Sequence, residues 1–391
     1  TGFAGANCGD AFEPKVMIAL ALLIATEWVY LIFFYTVFHR RNFELEIIAF
    51  FLSGVGLVTI GSKNADAALK QYFMILAGIL IFIFLMFLLG YVDLCMKLRL
   101  YVAIGALLLL LVNLVIAKTT NGARNWITIG GITLQPSEFV KVAFIFVGSA
   151  TLEKIQTSKN IIAFIGFSMA VVGSLIIIKD FGTALIFFVT FLIIAFMNSG
   201  DIKTIVLAVA SAVMGSAIVL KYRSNIKNRF AVYRHVMEPE FYYSTGYQQS
   251  RVLVGLASGG LFGLGIGNGN VRNIGESTND LIFGVICEEW GYLFGIALVL
   301  SFVCIAVSAL MNSIASRSTF YSIASIASAG MLLFQTALNI FGITDILPLT
   351  GVTLPFVSQG GSSMMCCWAV LAFIKASDVR TYNYLGGAKK K

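Results

Sequence analysis

The sequence predicts an all-α polytopic membrane protein, and three observations lead to this fold class. Hydrophobic residues make up 59% of the 391 residues, and charged residues make up only 12%, about half the share that is usual in soluble domains. The apolar residues are gathered in runs of about 20, which is the length that a helix needs to cross a bilayer. Most polar residues lie between these runs. Lipid is therefore the expected solvent for most of the chain.

Eleven apolar runs are predicted to be spanning helices. The sixth and seventh runs, which flank Lys179 and Asp180, are also compatible with one broken helix. No repeat of 20–50 residues and no Pro/Ser-rich linker divides the chain, so one domain is expected. In chain order, the runs are 16–38, 45–62, 71–92, 100–117, 139–152, 161–178, 182–197, 203–220, 281–311, 319–343 and 363–377.

Three connections between the runs are long, and the others are short. The first connection is 118–138, the second is 221–280 and the third is 344–362. Because successive spans alternate in direction, all three are predicted on one side of the membrane. Lys and Arg divide almost equally between the two sides. When the basic second connection is left out, the excess lies on the short-loop side, which predicts that the long connections are outside.

Charge and cysteine usage exclude several classes of function. The net charge of +8 suits lipid headgroups or an anionic ligand in a membrane protein, so we expect no nucleic-acid partner. The six cysteines are scattered without a CxxC pair, which argues against a zinc site or a disulfide framework. Only two histidines are present, so no metal site is predicted from the residues alone.

The first connection contains "NGARNWITIGGITLQPSEFVK". Pro136 suits the first turn of a helix, and Glu138 in the same turn is favourable to the helix dipole. Lys141 lies three residues further and can pair with Glu138. One interpretation is a helix start with a structural ion pair. The other is that Arg124, Glu138 and Lys141 face a polar cavity.

The second connection mixes basic residues, aromatic residues and glycine turns. Its segment "ASGGLFGLGIGNGN" has six glycines in 14 residues, and such a loop can present backbone N–H groups to an anion. No GKS or GKT follows, so it is not a Walker loop. The connection is interpreted either as an interfacial segment on anionic lipid or as a cradle for a pyrophosphate, with aromatic faces for sugar rings.

Carboxylates near the hydrocarbon region call for an explanation, because they are costly there. Asp280 stands where the second connection gives way to an apolar run, and Glu288 and Glu289 follow inside that run. We expect the two glutamates to make polar contacts or to support a site. The third connection contains two prolines and Gly360–Gly361, which predicts a re-entrant loop, with Ser362 and Ser363 as caps of the last helix.

Five motifs occur along the chain in the order "GARNWI", "QPSEFVK", "QQSRVLVGLASGGLFGLGIGN", "ESTNDLIFGVICEEWG" and "LPLTGVTLPFVSQGGSS". Together they resemble the SEDS family of FtsW and RodA, bacterial polymerases of peptidoglycan strands. The resemblance extends over about 45–375 and is slightly nearer FtsW. Lys179, Thr278 and Gln359 depart from the usual proline, histidine and tyrosine of the family.

The resemblance implies a division of the chain and a location. A ten-helix polymerase domain would occupy 45–378, preceded by a segment 1–44 with an extra transmembrane helix and followed by a basic cytoplasmic tail 379–391. The protein would lie in the bacterial cytoplasmic membrane with large extracytoplasmic loops and its active side extracytoplasmic. The implied substrate is lipid II, the implied partner is a class B penicillin-binding protein, and a divalent cation such as magnesium or manganese is left open.

Asp280 is predicted to be the catalytic base, because a positioned carboxylate can take the proton of an attacking hydroxyl. A lipid II flippase or a non-catalytic membrane scaffold is the alternative. Few polar residues near the short-loop helix ends disfavour the flippase, and the retained Asp280, Glu138 and Arg124 disfavour the scaffold. The predicted substrate-binding residues are Arg124, Glu138, Lys141, Gln249, Ser250, Gly259, Gly260, Gly263, Gly265, Glu276, Ser358, Gly360, Gly361 and Ser362.

Overall fold

Long apolar helices account for most of the chain in the computed structural model, which describes 7–8, 11–120, 123–129, 132–153, 158–203, 206, 209–210 and 229–382. Seven of the described helices are long and apolar enough to cross a membrane, and two further apolar helices are shorter. In chain order, the helices are α1 (Pro14–Phe38), α2 (Glu44–Lys63), α3 (Ala65–Leu89), α4 (Val92–Ile116), α5 (Pro136–Leu152), α6 (Ser158–Ile178), α7 (Phe181–Ser199), α8 (Pro239–Tyr242), α9 (Tyr247–Gly259), α10 (Ile282–Trp290), α11 (Tyr292–Ile314), α12 (Thr319–Ile343) and α13 (Gly361–Ser377), with 3-10 turns at Val271–Asn273 and Val379–Tyr382.

All but two of the predicted runs correspond to one helix each, so the predicted membrane fold is confirmed. The run 203–220 lies almost entirely outside the described residues. The run 281–311 was predicted as one helix, but it divides at Gly291 into α10 and α11. Gly291 has φ 88°, and a Cβ there would lie 2.3 Å from the carbonyl oxygen of Leu261. Only glycine allows this backbone approach.

Short strands add a feature that the all-α prediction lacks. Strands β1 (Asn7–Cys8) and β2 (Ala11–Phe12) form a small hairpin. In the first connection, β3 (Lys118–Thr120), β4 (Ala123–Ile129) and β5 (Ile132–Leu134) form an antiparallel sheet in the order β3-β4-β5. The alternation of apolar and polar residues in this segment has the period of a strand. The sheet is followed directly by α5.

The centre of the bundle is formed by α12 and α13, which are largely buried. Helix α13 packs against α3, α5 and α12, whereas α12 also packs against α7 and α11. Helices α1 and α4 expose most of their apolar side chains at the periphery, as helices in contact with lipid do. Irregular backbone from the second and third connections covers the outer ends of α12 and α13, which brings these two connections together.

A buried ionic cluster lies at the short-loop face. Glu46 forms ion pairs with Arg40 and Lys375, whose Nζ is 3.1 Å from a Glu46 oxygen. Asn42 donates to Asp378 at 2.6 Å, and Tyr30 donates to Glu46 at 3.1 Å. The cluster joins α1 and the start of α2 to the end of α13, so it ties the two ends of the described chain together.

Candidate functional site

A cavity of about 1450 Å³ lies at the face formed by the long connections. All three connections contribute to its lining, together with the outer ends of α3, α4, α5, α7 and α9. Both signs of charge reach the cavity, which suits a polar ligand with an anionic group. The acidic lining residues are Glu138, Asp180, Glu276 and Asp280, and the basic ones are Lys70, Lys179 and Arg229.

Asp280 lies in the last turn of the second connection, outside the spanning helices, and the backbone of this turn is held at three successive carbonyl groups. The N–H of Gln359 donates to the carbonyl oxygen of Thr278 at 2.8 Å. The hydroxyl of Ser358 donates to that of Asn279 at 2.6 Å, and Asn339 Nδ2 donates to that of Asp280 at 2.7 Å. The third connection and α12 therefore fix where the Asp280 carboxyl group can point.

The surroundings of Asp280 raise its pKa to about 7. Burial is the largest cause, and the nearby Glu276 and Asp180 raise the pKa further, whereas Arg229 lowers it. The side chain keeps part of its surface open to the cavity, but the cavity walls remove most of its contact with bulk water. A carboxylate with this pKa is a stronger base than a solvated one, and it is still largely deprotonated slightly above neutral pH.

Arg229 brings a guanidinium group to the same part of the cavity. Its Nη1 donates to the carbonyl oxygens of Leu349 at 2.9 Å and Thr350 at 3.0 Å. Burial lowers its pKa, against the opposing effect of Asp280 and Asp180. The sequence alone did not single out this residue, because Arg229 is one of seven basic residues in the second connection. Its place in the cavity lining distinguishes it from the other basic residues of this connection that the structure describes.

Glu138 and Lys141 form the ion pair that their spacing predicts, with 2.8 Å between Nζ and Oε1. Glu138 lines the cavity, whereas Lys141 lies beneath it and also donates to Gln335 at 2.9 Å. Gln335 in turn donates to the carbonyl oxygen of Thr353 at 2.9 Å. The interpretation that these residues face a polar cavity is therefore correct for Glu138, which lines it. Lys141 connects α5 to α12 and to the third connection below the cavity floor.

Asp180 caps the start of α7 and makes a second contact next to α5. Its Oδ1 accepts from the N–H of Thr183 at 3.2 Å at the N-cap of α7. Its Oδ2 accepts from Gln135 Nε2 at 3.2 Å, next to the start of α5. Both neighbours line the same cavity. Asp180 and Gln135 are thus site residues that the sequence-based prediction of substrate-binding residues missed.

The third connection reaches the cavity through Gly360 and Gly361, but the predicted serine caps of α13 are wrong. Gly360 occupies the N-cap position and has no side chain to cap with. Ser362 accepts from the N–H of Gln135 at 3.1 Å, and Ser363 is 2.9 Å from the hydroxyl of Thr353. Both hydroxyls therefore join α13 to other elements.

Two predicted residues of α9 differ in their position. Gln249 lines the cavity and donates to the carbonyl oxygen of Gly342 at 2.7 Å. Ser250 is buried and donates to the carbonyl oxygen of Tyr247 at 2.9 Å, within its own helix.

Glu276 lines the cavity and accepts from Asn279 Nδ2 at 2.8 Å. Arg124 lies in β4, but its side chain is outside the described residues.

The glycine-rich segment packs against α10 and does not line the cavity. Leu264 and Gly265 donate their N–H groups to the carbonyl oxygens of Glu288 and Glu289, at 2.9 and 3.0 Å. Gly263 has φ 79°, and a Cβ there would lie 2.3 Å from the carbonyl oxygen of Glu289. The cavity lining likewise does not include the predicted binding residues Gly259, Gly260, Gly263 and Gly265.

The carboxylates of Glu288 and Glu289 accept hydrogen bonds from backbone N–H groups of the glycine-rich segment, which were interpreted as donors to a pyrophosphate. Glu288 accepts from the N–H groups of Asn270 at 3.0 Å and Val271 at 2.8 Å. Glu289 accepts from the N–H of Gly267 at 2.9 Å. For these donors, the prediction of a pyrophosphate cradle is wrong, because the chain supplies its own anions. Supporting the loop after α9 is the role that the structure gives to both glutamates.

Within the described ranges, no group of three or more His, Cys, Asp or Glu residues is arranged to hold a metal ion. The divalent cation that the family resemblance leaves open stays an expectation.

The fold and the cavity define a class, namely multi-pass membrane proteins whose polar connections form a carboxylate-lined cavity at one face. Comparison with known proteins then identifies the family. The family described as "Cell cycle protein", of FtsW, RodA and SpoVE, matches residues 30–383, and the chain belongs to this family. Most of α1 precedes the matched region.

The similar proteins include both FtsW and RodA. FtsW of Bacillus subtilis, described as a "Probable peptidoglycan glycosyltransferase", is 30% identical over 90% of this chain and 93% of its own length. The peptidoglycan glycosyltransferase RodA of Mycobacterium leprae is 28% identical over 65% of this chain. This chain spans 58% of the length of that RodA. The slight lean towards FtsW stays a prediction.

Solved structures show the same fold. A chain from a peptidoglycan synthase complex that coordinates polymerization and crosslinking has a TM-score of 0.70 at 22% identity, over 85% of this chain and 96% of that one. RodA of Thermus thermophilus has a TM-score of 0.63 at 24% identity, over 88% and 97%. At these identities, the likeness supports the architecture of the bundle.

Proposed function

We propose that the protein is a peptidoglycan glycosyltransferase that joins lipid II units and releases undecaprenyl pyrophosphate, with Asp280 as the general base. The observation that carries the proposal is the position of Asp280, a carboxyl group with a pKa of about 7 at the wall of a cavity. Family membership supports the reaction type, because relatives are named for this activity.

In the proposed reaction, the 4-hydroxyl of the acceptor sugar loses its proton to the carboxylate of Asp280. The resulting oxygen nucleophile attacks C1 of the donor sugar with inversion. The bond between C1 and the pyrophosphate oxygen breaks, and the pyrophosphate leaves with the electron pair. Proton removal by a positioned base contributes about 10²–10⁴-fold to such a rate. The three donors on the backbone carbonyls keep the carboxylate at a fixed place for this transfer.

The leaving pyrophosphate needs positive charge as its bond to C1 breaks. Arg229 is the best-placed candidate, because its guanidinium lies near Asp280 and a planar guanidinium can bind two phosphate oxygens at once. Lys70 and Lys179 also line the cavity and can contact the remaining oxygens. Lys141 is less suited to this role, since it lies beneath the cavity and two of its three donors are already taken by Glu138 and Gln335.

The wider setting also belongs to the proposal. The cavity face is extracytoplasmic, because the positive residues of the short loops favour the inside. A class B penicillin-binding protein is the proposed partner, which would crosslink the strands that this protein polymerises. A structural neighbour is titled for the coordination of polymerization and crosslinking in a peptidoglycan synthase complex, which supports the partner. Service in cell division or cell-shape maintenance follows from the same family.

The test is polymerisation of lipid II by the purified protein in liposomes, alone and with the partner. Asp280→Asn keeps the shape of the side chain and removes its basicity, so lipid II is expected to bind while polymerisation falls at least 10²-fold. Glu240→Gln is the matched control, because Glu240 is an exposed acid at the same face. Near wild-type polymerisation by Asp280→Asn would remove Asp280 from the mechanism.

The flippase alternative is separated by a second measurement on the same samples. Translocation of labelled lipid II across the liposome membrane is followed for the wild type and for Asp280→Asn. The proposal expects no difference in translocation between the two, whereas a flippase that uses the cavity acids would lose translocation.

A further inference from the structure

A second, open cavity of about 610 Å³ lies at the short-loop face, at the end of α1 and opposite the cavity that contains Asp280. It is lined by Tyr35, Thr36, His39 and Arg41. These side chains offer two hydroxyl groups, an imidazole and a guanidinium, and no acid is among the lining residues. The Thr36 hydroxyl already donates to the carbonyl oxygen of Ile32 at 2.8 Å. The positive charge of Arg41, with the Tyr35 hydroxyl and His39 beside it, favours an anionic oxygen ligand over a cation.

The direction of these side chains is set by the way α1 ends. His39 at the C-cap has φ 51°, in the left-handed region, which turns the chain sharply. Arg40 then points into the protein, where it lies 5.0 Å from the ring of Phe34 and forms an ion pair with Glu46. Because Arg40 is directed inward, the flanking His39 and Arg41 are left exposed on the outer side.

The turn that carries His39 and Arg41 is held in place before any ligand arrives. The N–H of Arg40 donates to the carbonyl oxygen of Phe34 at 3.1 Å. Lys375 donates to the carbonyl oxygen of Asn42, and Asn42 Nδ2 donates to Asp378 at 2.6 Å. A turn that is already ordered loses less entropy on binding than a mobile one.

The position of the cavity indicates where the ligand comes from. It lies at the end of a 25-residue apolar helix. The end of a helix of this length lies at the depth of the lipid headgroups. Above it, Ile32 and Val37 expose apolar side chains on the same helix, and acyl chains can cover such residues. Glu44, the nearest acid in sequence, forms an ion pair with Arg380 at 3.3 Å.

We propose that this cavity binds the phosphate group of an anionic phospholipid from the surrounding membrane. Arg41 binds two phosphate oxygens, while His39 and the Tyr35 hydroxyl donate to the remaining oxygens or to the headgroup. The fixed positive charge selects anionic over zwitterionic lipids. The lining residues lie just inside the start of the region 30–383 that matches the family.

The test is lipid retention by the full chain, measured by native mass spectrometry after titration with phosphatidylglycerol or phosphatidylcholine. The wild type is expected to retain phosphatidylglycerol at lower concentrations than phosphatidylcholine. The double variant His39→Asn, Arg41→Gln is expected to need at least tenfold more phosphatidylglycerol, because the loss of a single charge-assisted hydrogen bond already corresponds to about tenfold in affinity. Asn is chosen at position 39 because it tolerates positive φ.

Two controls separate this site from general charge and from free phosphate. Lys97→Gln removes an exposed cation near the same face, outside the cavity, and is expected to leave lipid retention unchanged. Inorganic phosphate at millimolar concentration is expected not to displace the lipid, because it lacks acyl chains. Unchanged retention in the double variant, equal retention of both lipids, or displacement by phosphate would each overturn the lipid assignment.

Discussion

Two buried carboxyl groups, at opposite faces of the bundle, differ in what surrounds them. Glu46 is fully enclosed and pairs with both Arg40 and Lys375. Asp280 remains partly open to a cavity, and its neighbours include two further acids. The nearby Arg229 also donates to backbone carbonyls of the third connection. Burial alone therefore does not mark a functional acid. The balance of charge around it and its access to a ligand do.

Removal of the Glu46 carboxylate and removal of the Asp280 carboxylate are predicted to have opposite effects on the stability of the fold. The ion pairs of Glu46 form only in the folded chain, so removing that carboxylate leaves two buried cations, Arg40 and Lys375, without their ion-pair partner. The negative charge of Asp280 is disfavoured by its surroundings, so removing it relieves the fold. An active site that works against stability in this way is common in enzymes.

The largest effect is expected for Glu46→Ala. Breaking a buried ion pair by removing one partner costs about 3–5 kcal/mol, and here two cations lose their partner. We expect a strong loss of folded protein and a lower unfolding temperature in detergent. Glu44→Gln at the same face is the control, because the ion pair of Glu44 is exposed and worth about 1 kcal/mol or less. Equal stability of the two variants would contradict the role given to Glu46.

The glycine-rich segment is expected to be nearly as sensitive. Gly263→Val places side-chain atoms against the backbone of Glu289 at a residue with positive φ, which costs about 1–3 kcal/mol for strain alone. Leu264→Ala removes a partly exposed side chain at a residue without backbone strain and is expected to cost less. Unfolding temperatures of both variants measure the difference. If both are equally mild, the segment is a passive linker.

Asn339→Ala separates the position of Asp280 from its charge. The change leaves the carbonyl oxygens of Asp280 and Val352 without their donor, at a cost of about 1–3 kcal/mol. Misplacement of the carboxylate by about 1 Å is expected to lower kcat by about 10²-fold, with a smaller change in KM. Asn339→Asp keeps one acceptor but loses the donor, and is expected to fail similarly. A change in KM alone would contradict a positioning role.

The pH dependence of polymerisation follows from the pKa of Asp280. The base must be deprotonated, so the rate is expected to rise with pH through about 7. Arg229 lowers this pKa, and Arg229→Gln is therefore expected to move the rising limb to higher pH. Lys70→Gln, which removes a cation that is not among the causes of the shift, serves as the control. If the rate of the Arg229→Gln variant rises over the same pH range as that of the wild type, Arg229 does not lower the pKa of Asp280.

Asp280→Asn is expected to change stability in the opposite direction, as a gain. The pKa of Asp280 is raised on folding, so the fold favours the protonated form. The stability that this preference contributes is complete below the unfolded pKa near 4 and is lost as pH rises towards 7. The Asn variant is thus expected to unfold at a higher temperature than the wild type above pH 7, and at the same temperature below pH 4. A lower unfolding temperature above pH 7 would contradict this account.

Much of the fold was predictable, because spanning helices are recorded in the sequence as apolar runs of a fixed length. The break at Gly291 was not, since α10 and α11 form one continuous apolar run and only the approach of Leu261 requires the turn. The ion pair of Glu138 and Lys141 was predictable from a spacing of three residues. The role of Arg229 was not, because its contacts are with residues about 120 positions away.

By itself, the sequence determined that the chain crosses a membrane many times, that its polar residues gather on one face, and that Asp280 is the acid to test. These properties depend on local composition and on short motifs. Only the tertiary structure decided which polar groups satisfy one another. Glu288 and Glu289 accept hydrogen bonds from a glycine-rich segment about 20 residues earlier, while Asp280 is left facing a cavity. Hydrogen bonds and ion pairs act over a few ångströms in space, and that proximity is created by packing.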